Sequence, residues 1–149
     1  TLENTYRKAP CFNETIEALK PVFSIETSSI CDLAIESVKA VTNYIGINTE
    51  FERSSETYAD TKGTEKAARL KEICHRNEAY EYHNPIGGTE LYFKDDFAKS
   101  GIDLKFIKTD DIIYKQFKND FISNLSIIDL MMFNSKEQIQ ELLGSYTLV

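Results

Sequence analysis

The chain is poor in the residues that make cross-links and metal sites. It has three cysteines and two histidines. Cys11, Cys31 and Cys74 are odd in number, far apart and without a CxxC pair, which fits reduced thiols of a cytoplasmic protein better than a disulfide framework. His75 and His83 are too few for a dedicated Cys/His metal site, and none is expected. Cations are also outnumbered: 17 Lys and Arg stand against 24 Asp and Glu, a net charge of −7. A nucleic-acid partner needs a basic footprint to neutralise phosphates, and a membrane surface needs a run of basic residues; the sequence offers neither. No apolar stretch approaches the roughly 18 uninterrupted residues of a membrane span. The most apolar window, 125–133, is broken by Ser126 and Asp129. The start, Thr1-Leu2-Glu3-Asn4, has neither the basic nor the apolar region of a signal peptide, and without Met it reads as the start of a trimmed or cleaved product.

What is present is the composition of a globular protein, with 42% hydrophobic and 28% charged residues. At 149 residues the chain fits one domain, and such a chain buries roughly 68–70% of its extended surface. The apolar positions Ile30, Leu33, Ala34, Val38, Val41, Tyr44 and Ile45 recur at helical period behind a Ser28 or Ser29 cap, and Gly46 supplies the stop. A shorter run, Phe12, Ile16 and Leu19, is expected to end or kink at Pro21. Residues 49–53 read as a strand, and 54–63 as a polar loop anchored only by Tyr58. The next helix opens at Gly63 or Thr64, buries Ala67, Leu70, Ile73 and Cys74, and stops at a left-handed Asn77. Strands follow at 79–82 and 102–107, with a short helix at 94–99 between them. Helices at 126–133 and 135–143 and a strand at 145–149 close the chain. Helices alternating with short strands predict an α/β fold with a small, mostly parallel sheet flanked by helices, Rossmann-like in its layering, with ligands at the strand C-terminal ends.

Two polar loops fall at such ends. Ser54 and Ser55 precede Lys62-Gly63-Thr64-Glu65 at a helix start, where backbone N–H groups and the Thr64 hydroxyl would hold a phosphate or carboxylate. This is not a Walker A loop, because Lys62 precedes the glycine and the first glycine of that motif is missing. Taken alone, Thr64 reads first as a plain helix cap, the commoner use of such a residue. The second loop, Asn84-Pro85-Ile86-Gly87-Gly88-Thr89, follows a strand directly. Paired glycines admit a ligand close to the backbone, and Asn84 would either bind that ligand or close an Asx turn. His83 beside it is a candidate general base, and Tyr92 a candidate pocket wall. Asp129 sits in an otherwise apolar helix, so its carboxylate must find a structural donor or face a cavity, where it would orient a base or bind a ligand amine.

Taken together, several segments resemble the C-terminal part of the WbqC-like family. They are Tyr6-Arg7-Lys8-Ala9-Pro10; Ser54-Ser55-Glu56; Lys62-Gly63-Thr64-Glu65 with Ile73-Cys74; Asn84 to Gly88 with Leu91-Tyr92; Gly101-Ile102; Tyr114-Lys115-Gln116; and Leu125 to Asp129. The resemblance implies a bacterial protein of surface-polysaccharide (O-antigen) biosynthesis that modifies an activated sugar, as a transferase of acyl or aminoacyl groups or as a non-catalytic binding or assembly module. It implies no particular cofactor. It implies an N-terminal family segment that this chain lacks, with a homodimer through the unpaired sheet edge as one consequence. It adds Gln116 to the residues expected to bind substrate.

Overall fold

The structure, a computed structural model, describes residues 1–118 and 120–149. Their contacts divide the chain into two compact units, Thr1–Thr49 with Asp111–Ser145, and Glu50–Asp110 with Tyr146–Val149.

The first unit is helical. It contains α1 (Leu2–Tyr6), α2 (Phe12–Ser24), α3 (Ile30–Ile45), α7 (Ile127–Phe133) and α8 (Lys136–Leu142). Ser29 caps α3 by accepting the Asp32 N–H, and Gly46 ends it in the left-handed conformation, as the sequence predicts. Ser135 and Gln138 form a reciprocal capping box that starts α8. The apolar faces meet around buried Ile45, Met131 and Ile139, with Ala18, Val41, Tyr44 and Leu130 against them. Two ties fix the helices in register: the Thr15 hydroxyl donates to the Met131 carbonyl at 2.9 Å, and the Gln140 amide to the Ile45 carbonyl at 2.6 Å. Pro21 does not end α2, which runs on to Ser24. Lacking an N–H, Pro21 forgoes one helical bond, yet its carbonyl accepts the Ile25 N–H and the final turn closes.

The second unit holds α4 (Ser54–Thr57), α5 (Lys66–Arg76), β1 (Glu81–Pro85), α6 (Lys94–Ala98), β2 (Asp103–Thr109) and β3 (Tyr146–Leu148). The α/β class expected from the sequence is observed. The sheet is small and mixed, in the order β1-β2-β3, with β1 and β2 parallel and β2 and β3 antiparallel. Alternation decides what each face buries. Leu104 and Phe106 of β2 point inward with Phe97, Ile102 and Cys74, while Tyr82 stacks on Phe97 at 5.8 Å. The strand expected at 49–53 is absent: that run has no neighbouring strand to complete a ladder and leads into α4. The left-handed residue after α5 is Glu78 (φ 50°) rather than Asn77, whose φ is −92°. Asn77 instead caps α5 through its backbone N–H, and its side-chain amide donates to the Tyr58 hydroxyl at 2.6 Å.

Candidate functional site

In the α/β unit the structure gathers Ser54, Ser55, Lys62 and Gly63 around one pocket of about 280 Å³, together with Ala59 and Arg69. The local fold explains the convergence. Tyr58, the single aromatic of the loop, is buried, and its hydroxyl donates to Glu52 at 2.5 Å. Thr61, also buried, donates to the Tyr58 carbonyl at 2.7 Å and closes the turn. Gly63 then reverses the chain at φ +93°, a conformation that costs a side-chain-bearing residue energy. Arg69, half-buried on α5, completes the pocket: its Nε donates to Thr61 Oγ1 and its terminal nitrogen to the Ser54 carbonyl, each at 3.0 Å. Sequence reading passed over Arg69. Its signal was an Arg one helical turn beyond the cap, on the face that continues toward the loop.

Two details differ from expectation. Thr64 does not cap α5. Both its N–H and its hydroxyl turn back to the Thr61 carbonyl, at 3.3 and 2.8 Å. The cap is Glu65, whose carboxylate accepts the Ala68 N–H at 2.9 Å. Backbone hydrogen bonds at this helix start hold the Glu65 carboxyl below the usual carboxylate range. The anion of this helix start is therefore the protein's own side chain.

At the end of β1, Asn84 and Gly88 are in contact. The Asn84 amide donates to the Tyr82 hydroxyl at 3.0 Å, and a Cβ built on Gly88 would stand 2.0 Å from Asn84 Oδ1. Asn84 is thus engaged inside the unit, Gly88 is buried, and Gly87 has open space where a Cβ would project. Tyr92 packs edge-on against Phe97 at 6.1 Å, a core-wall position. His83 lies on the opposite face of β1 from Tyr82 and Asn84, because strand side chains alternate. There its Nε2 meets Glu81 Oε1 at 2.5 Å, in a charged row that includes Lys105 and Asp103. Lys105 first, and His83 second, hold the Glu81 carboxyl below its usual range.

The helical unit carries the second polar cluster. Asp129, on α7, is only 4% exposed. It pairs with no cation among the described residues; three neutral donors fill its carboxylate. The Tyr6 hydroxyl reaches Oδ1 at 2.9 Å, and the Tyr114 hydroxyl and the Gln116 amide reach Oδ2 at 2.6 and 2.9 Å. Gln116 also clasps the backbone of Ile122, accepting its N–H and donating to its carbonyl, both at 2.9 Å. Burial, then the bond to Asp129, pushes the Tyr114 phenol up to about 12, and the same causes raise Tyr6. These phenols stay protonated and act as donors; the carboxylate is the acceptor that aligns them. Sequence reading singled out Asp129 and Gln116, while Tyr6 was legible only as part of a motif. Among the described residues no group of three or more metal-ligating side chains comes together, and no helix is long and apolar enough to cross a membrane.

A scan against protein-family models matches residues 1–141 to the WbqC-like protein family. No curated protein and no solved structure matches the chain.

Proposed function

The chain belongs to the WbqC-like protein family, and from that premise we propose a cytoplasmic transferase of bacterial surface-polysaccharide (O-antigen) biosynthesis that modifies an activated sugar by acyl or aminoacyl transfer. The observation that carries this reading is the pocket of Ser54, Ser55, Lys62, Gly63 and Arg69. It supplies two cations, two hydroxyls and a glycine turn that lets a ligand approach the backbone, the combination an anionic sugar substrate requires. Lys62 makes no ion pair among the described residues, so its charge is available to a phosphate. In this reading Thr64 shapes the turn, Gly87 is the open part of the loop after β1, and Asn84, Gly88 and Tyr92 support that loop from inside the unit. His83, oriented by Glu81, is the proton carrier of that unit. Asp129 orients Tyr114 and Gln116 in the helical unit.

A thermal-shift screen against nucleotide sugars, nucleotides, acyl-CoA and aminoacyl donors tests the proposal. A rise in melting temperature with one class, lost in Lys62→Gln and Ser55→Ala, supports it. A second reading, a non-catalytic binding or assembly module, is favoured by the structural engagement of Asp129, whose carboxylate already serves three protein donors. A flat screen on folded protein, with dimers or a captured partner in light scattering, would choose that reading.

A further inference from the structure

We propose that the helical unit contains a binding pocket for a phosphate or diphosphate ester carried on a ring, formed by Arg7 and Lys8 with Phe117. The pocket measures about 380 Å³ and is lined by Asn4, Thr5, Arg7, Lys8 and Phe117. This inference rests on the geometry of that pocket and does not depend on the transferase reading.

Charge makes the first case. Among the described residues Lys20, Arg53, Lys71, Arg76 and Lys105 each form an ion pair with a carboxylate. Arg7 and Lys8 form no ion pair among the described residues, and no acidic side chain lines their pocket. Two adjacent cations with no counter-charge repel one another, and a bound dianion removes that repulsion. Arginine offers a fork matched to two phosphate oxygens, and lysine adds a point charge. The side-chain amide of Asn4 adds a neutral donor on the same wall.

Phe117 makes the second case. It is 42% exposed, beside two cations, where a large apolar ring gains nothing from solvent. Its ring is held edge-on against Phe133 at 4.7 Å, and Phe133 in turn meets the Tyr6 ring at 6.1 Å. A rigid aromatic surface next to a cation pair suits a sugar or base ring whose phosphate the cations hold.

The third case is how the walls are positioned. Tyr6 immediately precedes Arg7, and Gln116 immediately precedes Phe117. Both Tyr6 and Gln116 donate to Asp129. One buried carboxylate thus fixes the backbone on both sides of the pocket. The far side of Lys8 is anchored too, by buried Ala9 and by the Cys11 N–H on the Met132 carbonyl at 3.0 Å. Asp129 is a positioning residue for this pocket rather than a ligand of it.

Isothermal titration of the full chain with inorganic pyrophosphate and with uridine diphosphate tests the proposal. Both probes bind the unaltered protein, and raising the salt concentration weakens both. Arg7→Gln with Lys8→Gln lowers both affinities by roughly tenfold or more, the loss expected for charge-assisted bonds. Phe117→Ala weakens the ring-bearing probe and spares pyrophosphate. Lys20→Gln, which removes a paired surface cation, changes neither. Arg7 and Lys8 are exposed, so the double variant should fold, with its melting curve as the check; if it does not, Lys8→Gln alone carries the test. No saturable binding, or binding that survives the double variant, overturns the pocket. Binding lost only in Lys62→Gln also overturns it, and leaves the transferase reading standing. Binding lost in the double variant with no turnover on any sugar would do the reverse.

Discussion

The hydroxyl of Tyr114 donates to Asp129 Oδ2 across 2.6 Å, and this bond ties the irregular segment before α7 to the helix itself. With Tyr6 and Gln116 on the same carboxylate, Asp129 gathers three parts of the helical unit that share no regular secondary structure. Replacing it by Ala strands three donors in a part-buried site. The expected loss of stability is on the order of 3 kcal/mol. Asp129→Asn, which keeps one acceptor but turns an amide toward a donor, should lose less. Urea unfolding monitored by circular dichroism measures both; a change within error for the alanine variant would show the network to be ornamental.

The same bond sets a pH dependence. Burial and Asp129 raise Tyr114 to about 12 in the folded protein, above an ordinary phenol near 10. Below the unfolded value both states hold the proton, and the bond contributes in full. As pH rises toward the folded value, the unfolded chain releases its proton first and stability is lost. The melting temperature should therefore fall between pH about 10 and 12, and Tyr114→Phe should blunt that fall. Ultraviolet titration should show one late-ionising phenol missing in the variant.

Gly88 is required by contact rather than by backbone conformation. A methyl group there would lie 2.0 Å from Asn84 Oδ1, so Gly88→Ala must displace the Asn84 side chain and its bond to Tyr82. The expected cost is roughly 1–3 kcal/mol. Adding Asn84→Ala to Gly88→Ala should recover part of it, since the clash disappears with the amide. A double-mutant cycle by thermal unfolding reads the coupling; strictly additive losses would contradict the contact.

Glu65 and Thr64 exchange the roles that residue type alone suggests. Glu65→Ala should lower the melting temperature more than Thr64→Ala, because only Glu65 accepts a helical N–H. The Glu65 carboxyl titrates below its usual range. The capping contribution is therefore present at neutral pH and lost as pH falls through that depressed value. Melting curves of both variants at neutral and acid pH separate the two; equal effects at neutral pH would refute the assignment.

Much of the local fold was legible because short-range rules govern it. The Ser29 cap, the helical period through Ile45 and the left-handed Gly46 are determined by residues within a turn of one another. The alternation in β2 likewise announced which side chains it buries. The strand expected at 49–53 does not form because a strand exists only where a neighbour offers a ladder, and among the described residues none pairs with that run. Pro21 was read as an end or a kink because its missing bond was visible; of the two, the end is excluded by the helical turn that continues to Ser24.

The candidate sites divide in the same way. Residue type and spacing marked Ser54, Ser55, Lys62 and Gly63 as a set, and marked Asp129 as an anomaly in an apolar helix that needed partners. Only the tertiary structure decided which partners those are. The Tyr6 hydroxyl bonds to a carboxylate 123 positions away, and nothing in the local pattern of either residue specifies the other. His83 and Asn84 are adjacent in sequence but lie on opposite faces of β1, because the pleat of a paired strand, not proximity along the chain, sets where each side chain points. By itself the sequence determined the Ser29 cap and Gly46 stop of α3, the helical periods and the α/β class, since these depend on neighbours in the chain. Contacts closed by long-range packing depend on the whole fold, and they decided how Asp129 is satisfied, why Gly88 must be glycine and which side chains line each pocket.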